Sequence, residues 1–144
     1  MDSKNIHINT PVGEVLVRPE DLDPEKWLLF EKTGLRQYML WVHPETGASV
    51  ALLDFPAGSG VPERHRHASN QFMYCLEGEY CYFGGESDIT LRPGDFYMNP
   101  KGAFHGPTRA NSRCLLLEVY DGAHYYEKPE YHSDDTIGKV VSEA

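Results

Sequence analysis

Residues 60–78 read GVPERHRHASNQFMYCLEG, and this stretch is the strongest indication of the fold. His65 and His67 stand two residues apart within it. Side chains two apart on a β-strand point to the same face, so both imidazoles can bind one metal ion while Arg66 points the other way. Gln71 follows four residues after His67 and can reach the same region after a tight bend. The stretch therefore predicts a metal site that begins on one strand.

A third histidine of the same kind, His105, follows Pro100-Lys101-Gly102 much later in the chain. The ligands of a metal ion must converge in space, and a closed barrel brings distant strands together. Imidazole binds iron, zinc, copper and nickel, so the type of ligand alone does not select the metal.

Strand signals surround these motifs. Apolar and aromatic runs separated by Gly, Pro and Asp turns predict strands at 36–42, 48–55, 71–76, 79–83, 88–91, 96–99, 105–108 and 113–120. Short strands with frequent turns are typical of a sandwich or barrel. Near the N-terminus, Asp23 and Pro24 predict either a short helix through Phe30 or a strand that carries Trp27.

Composition excludes several classes of function. The 144 residues carry a formal net charge of −9, which disfavours nucleic-acid binding because an acidic surface repels phosphates. No aliphatic run approaches the ~20 residues that cross a bilayer, and the N-terminal residues lack the apolar core of a signal peptide. We therefore expect a cytosolic protein that binds no membrane, in which the three cysteines are reduced.

Two segments together resemble the paired motifs of the cupin family. The first is carried by Gly60, His65, His67, Gln71 and Gly78, and the second by Gly94, Pro100, Gly102, His105 and Arg109. The resemblance implies an all-β fold, the cupin double-stranded β-helix or jelly-roll barrel. It also implies one domain over residues 1–144, with a motif core at 60–109, N-terminal strands within 1–55 and a C-terminal tail from about 121. A homodimer through the N-terminal strands is expected by the same resemblance, with 36–42 as an exposed edge.

The sequence departs from the cupin pattern at two positions. Gln71 stands where most cupins have glutamate, and Arg109 where many have asparagine. Three neutral imidazoles and a neutral amide leave the charge of a divalent ion uncompensated, which favours an anionic, chelating substrate such as an enolate. Gln71 is either a fourth metal ligand or a hydrogen-bonding residue of the active site, and Arg109 is a candidate substrate contact on the same strand face as His105.

The three-histidine pattern resembles that of acetylacetone dioxygenases. The same sequence motifs also resemble those of the cupin domains of zinc-binding anti-sigma factors. The first resemblance implies iron(II), dioxygen and a small enolisable diketone whose carbon–carbon bond is cleaved. The second implies a non-catalytic zinc-binding sensor or ligand-binding module. A metal-dependent isomerase or lyase is a third alternative, although no carboxylate in the motifs is an obvious general base. Nickel is also compatible with the ligands.

The remaining histidines match no motif. His7, His43, His124 and His132 are expected at the surface or in the core rather than on a metal. The aromatic stretch 124–132 (HYYEKPEYH) can fold over the mouth of a barrel, join a dimer interface or coat the surface.

Overall fold

The structure, a computed structural model, describes residues 13–133 and 136–143. His7 lies outside these residues. Within them, no helix has both the length and the apolar character needed to cross a bilayer.

Antiparallel strands make up nearly all of the regular structure. The described residues form β1 (Leu28–Leu29), β2 (Arg36–Val42), β3 (Ser49–Phe55), β4 (Gln71–Glu77), β5 (Tyr80–Tyr82), β6 (Ile89–Leu91), β7 (Phe96–Asn99), β8 (Thr108–Ala110) and β9 (Cys114–Tyr120). One sheet has the order β1-β2-β3-β9-β4-β7 and the other the order β6-β5-β8. Every pairing between these nine strands is antiparallel, and the predicted all-β fold is confirmed.

Large side chains of both sheets meet in one core. Alternation along β9 buries Cys114, Leu116, Glu118 and Tyr120 against the opposite sheet and leaves the intervening residues partly exposed. The core includes Phe55, Met73, Tyr80, Tyr82 and Leu116, each no more than 4% exposed. All three cysteines are free and buried, as expected for thiols that pack as small hydrophobic groups.

The segment around Asp23 combines the two predicted alternatives. Asp23 accepts a hydrogen bond from the Glu25 amide at 3.0 Å and caps a 3-10 turn, Pro24–Lys26. The chain then enters the two-residue strand β1 instead of continuing as a helix to Phe30. Strand β1 pairs with Arg36 and Gln37, so one end of the predicted edge at 36–42 is covered. The homodimer stays a prediction, because the structure holds one chain.

The predicted strand at 105–108 is wrong. His105 forms only an isolated bridge, and regular pairing begins at Thr108. Gly106 has a φ of +83°, outside the extended region, and Pro107 has no amide hydrogen for a ladder. The chain therefore changes direction between His105 and Thr108. The histidine pair at 65 and 67 likewise lies outside a regular strand, with His65 alone in a bridge.

Candidate metal centre

His65 and His105 form a directly opposed backbone pair. The His65 amide donates to the His105 carbonyl at 2.9 Å, and the His105 amide donates to the His65 carbonyl at 2.8 Å. Residues that exchange both bonds stand side by side on one face of an antiparallel pair. Their imidazole centroids lie 4.5 Å apart. Two short segments far apart in sequence are thereby joined at the metal centre.

The outer nitrogens of these two rings have partners in the protein. The Nδ1 of His65 donates to the Glu63 carbonyl at 3.0 Å, which leaves Nε2 of that ring with a free lone pair. The Nδ1 of His105 is hydrogen-bonded to the Tyr97 hydroxyl at 2.9 Å. Metal-binding histidines usually have one nitrogen held in this way, because the outer hydrogen bond fixes the tautomer and the ring orientation.

His67 completes the cluster. Its Nδ1 is hydrogen-bonded to the Tyr120 hydroxyl at 3.2 Å, and its Nε2 lies 3.1 Å from the Nε2 of His105. Two nitrogens bound to one ion at about 2.0–2.1 Å and at roughly a right angle have this separation. One ligand atom from each of the three histidines lies within 4.8 Å of the others. The residues fit a divalent transition-metal ion.

Burial keeps the three imidazoles neutral. Loss of solvent lowers the pKa of His65, lowers that of His67 well below its ordinary value and lowers that of His105 to about 3. The neighbouring imidazoles of the cluster add to the effect at His67 and His105, since a second positive charge nearby is unfavourable. Neutral rings offer lone pairs to a metal without first releasing a proton.

Gln71 lies in the same cavity as the histidines. Its Nε2 donates to Glu118 Oε2 at 2.8 Å and to the Tyr120 hydroxyl at 3.0 Å. Its Oε1 is buried and has no hydrogen-bond partner among the described residues. A buried acceptor without a partner is unfavourable, so this oxygen is suited to a metal ion or to a donor on a bound molecule.

Glu118 is a candidate functional residue that sequence reasoning missed. It lies on β9, is 7% exposed and lines the cavity of the three histidines. Burial raises the pKa of its carboxyl group to about 7, although hydrogen bonds from Gln71 and Tyr120 partly oppose the shift. The motifs contain no such carboxylate, but the strand β9, which lies outside them, brings one to the cavity.

Arg109 does not join the site. It lies on β8 between the buried residues Thr108 and Ala110, and its own side chain is exposed. Thr108 lines the cavity, so alternation along the strand turns Arg109 to the opposite face. The prediction assumed an unbroken strand from His105, and the change of direction at Gly106 reverses that expectation. The arrangement does not support a substrate contact by Arg109.

The C-terminal stretch folds over the mouth of the barrel, the first of the three predicted alternatives. Tyr125, Tyr131 and His132 are buried and line the cavity. The nitrogens of His132 are hydrogen-bonded to Thr136 and Tyr125, and His124 is hydrogen-bonded to Ser49. These two histidines therefore have core roles in the described structure. The half-buried His43 accepts backbone hydrogen bonds in its own turn, from the amides of residues 45 and 46.

The space beside the histidines is small. Its volume is about 50 Å³, which is enough for a few water molecules. A wider groove of about 400 Å³ lies outside it and is lined by Arg64, Arg66, Phe104 and residues 125–130. His65 and Tyr125 line both spaces, so they stand between the groove and the inner cavity.

Two antiparallel sheets around a buried three-histidine centre define a metal-binding cupin. The sequence profile described as the ChrR cupin-like domain matches residues 13–124, and the chain belongs to this family. By sequence comparison, the chain matches no curated protein.

Solved structures show the same fold. A proposed acetylacetone dioxygenase from Methylibium petroleiphilum PM1 is 23% identical with a TM-score of 0.70, over 92% of this chain and 93% of that one. An acetylacetone dioxygenase from Acinetobacter johnsonii is 22% identical with a TM-score of 0.68, over 88% and 87%. The Rhodobacter sphaeroides complex of SigE with the anti-sigma ChrR is 26% identical with a TM-score of 0.56, over 72% of this chain and 51% of that one. The predicted cupin fold is confirmed.

Proposed function

We propose that this cupin is an iron(II)-dependent dioxygenase that cleaves a carbon–carbon bond in a small β-diketone-like substrate. One observation carries the proposal: the cavity around the three neutral histidines is lined by no lysine or arginine among the described residues. An enolate bound there would find its positive partner only in the metal ion. A neutral ligand set leaves that positive charge available.

The residues of the chain prepare the site for such a substrate. When bound, iron(II) supplies Lewis acidity for the enolate oxygens and electrons for the reaction with dioxygen. The Glu63 carbonyl and the Tyr97 hydroxyl hold the rings of His65 and His105 in their orientations. The buried side chains of Phe55 and Met73 line the cavity and exclude bulk water. The cavity is small, which suits a compact substrate.

Oxygen consumption tests the proposal. The protein is loaded anaerobically with iron(II), mixed with pentane-2,4-dione or another β-dicarbonyl compound, and followed with an oxygen electrode. We expect oxygen uptake and loss of the diketone in equal amounts, and neither in zinc-loaded protein or in the His105→Ala variant. The proposal fails if stoichiometrically iron-loaded protein consumes no oxygen with any β-dicarbonyl, while an active control dioxygenase does.

A zinc-binding sensor or ligand-binding module is the second candidate. The orphaned Oε1 of Gln71 favours it, because this oxygen could close a four-coordinate site with the three histidines. Elemental analysis of protein purified without added metal separates the candidates. Stoichiometric zinc that stays four-coordinate when β-dicarbonyl compounds are added supports the sensor.

Glu118 also gives new support to a metal-dependent isomerase or lyase. A general base needs a carboxyl group that faces the substrate space and has a pKa close to the working pH; Glu118 lines the cavity, and burial raises its pKa to about 7. Turnover of an enolisable substrate without dioxygen would identify this activity, because the dioxygenase reaction stops under anaerobic conditions.

A further inference from the structure

Glu118 and Gln71 form a buried pair that reaches from β9 to β4. Gln71 is 4% exposed and Glu118 is 7% exposed, so water does not compete for their hydrogen bond of 2.8 Å. The strands are adjacent in the sheet, which holds both side chains on the inner face. The pair is thus a fixed feature of the cavity wall.

The amide of Gln71 has only one favourable orientation in this pair. Its NH₂ group faces two oxygen atoms, the carboxyl oxygen of Glu118 and the hydroxyl oxygen of Tyr120. Both N–H bonds are used, one for each acceptor. A flipped amide would place Oε1 against the Glu118 carboxylate, which can only accept, and would lose that bond, whereas the Tyr120 hydroxyl can donate or accept. Glu118 therefore decides which end of the amide faces the rest of the cavity.

The proton count around Tyr120 agrees with this orientation. A metal ion on Nε2 of His67 would leave the proton on Nδ1, which can donate to the Tyr120 oxygen at 3.2 Å. That oxygen then accepts from both His67 and Gln71, and its own proton is free for the Glu118 carboxylate. Each donor in this network has an acceptor, and within the network, as the described residues show it, Oε1 of Gln71 is the buried polar atom without a partner.

We propose that Glu118 is a positioning residue that acts through Gln71: it fixes the amide so that Oε1 is presented to the metal bound by the three histidines. This proposal rests on the metal site of the proposed function. It also explains how a glutamine can stand at the position of the usual cupin glutamate, because the carboxylate lies one hydrogen bond further out. The pair keeps an oxygen donor at the centre while the acidic group stays away from it.

A double-mutant cycle on cobalt(II) binding tests the proposal. Dissociation constants are measured by chelator competition, and the absorption spectrum of bound cobalt reports its coordination. The isosteric Glu118→Gln variant removes the obligatory acceptor, so we expect about 10–100-fold weaker cobalt binding and a changed spectrum. Gln71→Leu removes the oxygen itself and is expected to have at least the same effect. In the Gln71→Leu background, Glu118→Gln should have no further effect, because nothing remains for it to orient.

The controls separate the possible failures. Glu77→Gln changes an exposed carboxylate at the end of β4 and should keep the wild-type dissociation constant and spectrum. If Glu118→Gln does not fold, Glu118→Ala removes the same acceptor, and its effect on cobalt binding should likewise disappear in the Gln71→Leu background. Equal cobalt binding by wild type and His105→Ala would overturn the metal site itself. Cobalt binding that needs His105 but is unchanged in Glu118→Gln, or effects that add in the double variant, would overturn the positioning role alone.

Discussion

Gly60 lies so close to the backbone of Thr108 that a methyl group on Gly60 would collide with the carbonyl group of Thr108. Hydrogen bonds hold the two segments together on both sides of this contact. The Gly58 amide donates to Ala110, and the Thr108 amide donates to Val61. A glycine is required here because one backbone approaches another, not because of an unusual φ. The first glycine of the cupin motif therefore fixes the segment that leads to His65 against strand β8.

Replacement of Gly60 by alanine should destabilise the fold. The atoms in the way belong to the backbone, so the strand must shift, and we expect a loss of about 3 kcal/mol or more. Denaturant unfolding monitored by circular dichroism measures the loss. Gly85→Ala is the matched control, because a methyl group there meets nothing closer than 3.8 Å. Similar unfolding midpoints for the two variants would contradict the close approach.

Metal binding should stabilise the folded chain. A ligand that binds only the native state at 100 times its dissociation constant adds about 2.7 kcal/mol, or roughly 6–11 °C in melting temperature for a chain of this size. We expect this increase with zinc(II) or cobalt(II) and its reversal by EDTA. His67→Ala, which removes a ligand that is 1% exposed, should abolish the increase. An unchanged metal-dependent shift in this variant would remove His67 from the site.

The parts of the site that the sequence predicted have a common physical basis. His65, His67 and His105 stand in motifs whose spacing is fixed by turns and by close backbone contacts such as that of Gly60. Strands β2 and β7 also have the bounds expected from their apolar runs and turns. Each of these features is marked by residues within one short segment, so the sequence indicates it before the pairing of the segments is known.

Glu118 could not be found in the same way. Both faces of β9 carry apolar residues, as Leu115 and Leu117 alternate with Cys114 and Leu116. Alternation alone therefore does not show which face of the strand is inside. Without that information, an acidic residue on this strand is predicted to lie at the surface. Its role depends on the pairing of β9 with β4, which brings it to Gln71. The sequence offers one indication of this role: Glu118 stands an even number of residues from Cys114 and Tyr120, so its side chain points to the same face of the strand as theirs.

Tyr97 should tune the metal centre through His105. Its hydroxyl is hydrogen-bonded to the Nδ1 of His105 at 2.9 Å, and the two rings are parallel within 7°. Tyr97→Phe keeps the ring and removes the hydrogen bond, so we expect about 10-fold weaker zinc(II) binding with little change in stability. Tyr74→Phe removes a hydroxyl from an exposed side chain of β4 and should bind zinc as the wild type does. Equal affinities for all three proteins would show that this hydrogen bond has no effect on the metal.

The stability of the metal-free protein should fall at acidic pH, in part because of His132. Burial lowers the pKa of His132 to about 3, and the positive charges that His124, His65 and Lys128 can carry act in the same direction. The ring also faces the hydroxyls of Tyr125 and Thr136, which remain neutral in this pH range. The unfolded chain binds a proton on this residue near pH 6.5, so unfolding takes up a proton below that pH.

The contribution of His132 is therefore complete above pH 6.5 and is lost as the pH falls toward 3, by up to about 1.4 kcal/mol for each pH unit. The unfolding free energies of wild type and His132→Gln are measured with EDTA between pH 7.5 and 5. We expect a shallower fall for His132→Gln, because its unfolding takes up about one proton fewer. Ser133→Ala alters an exposed neighbour that does not titrate, and it should keep the wild-type slope. Because the comparison concerns slopes, it holds even if the glutamine variant is less stable at every pH. Parallel curves for His132→Gln and wild type would show that this histidine takes up no proton on unfolding.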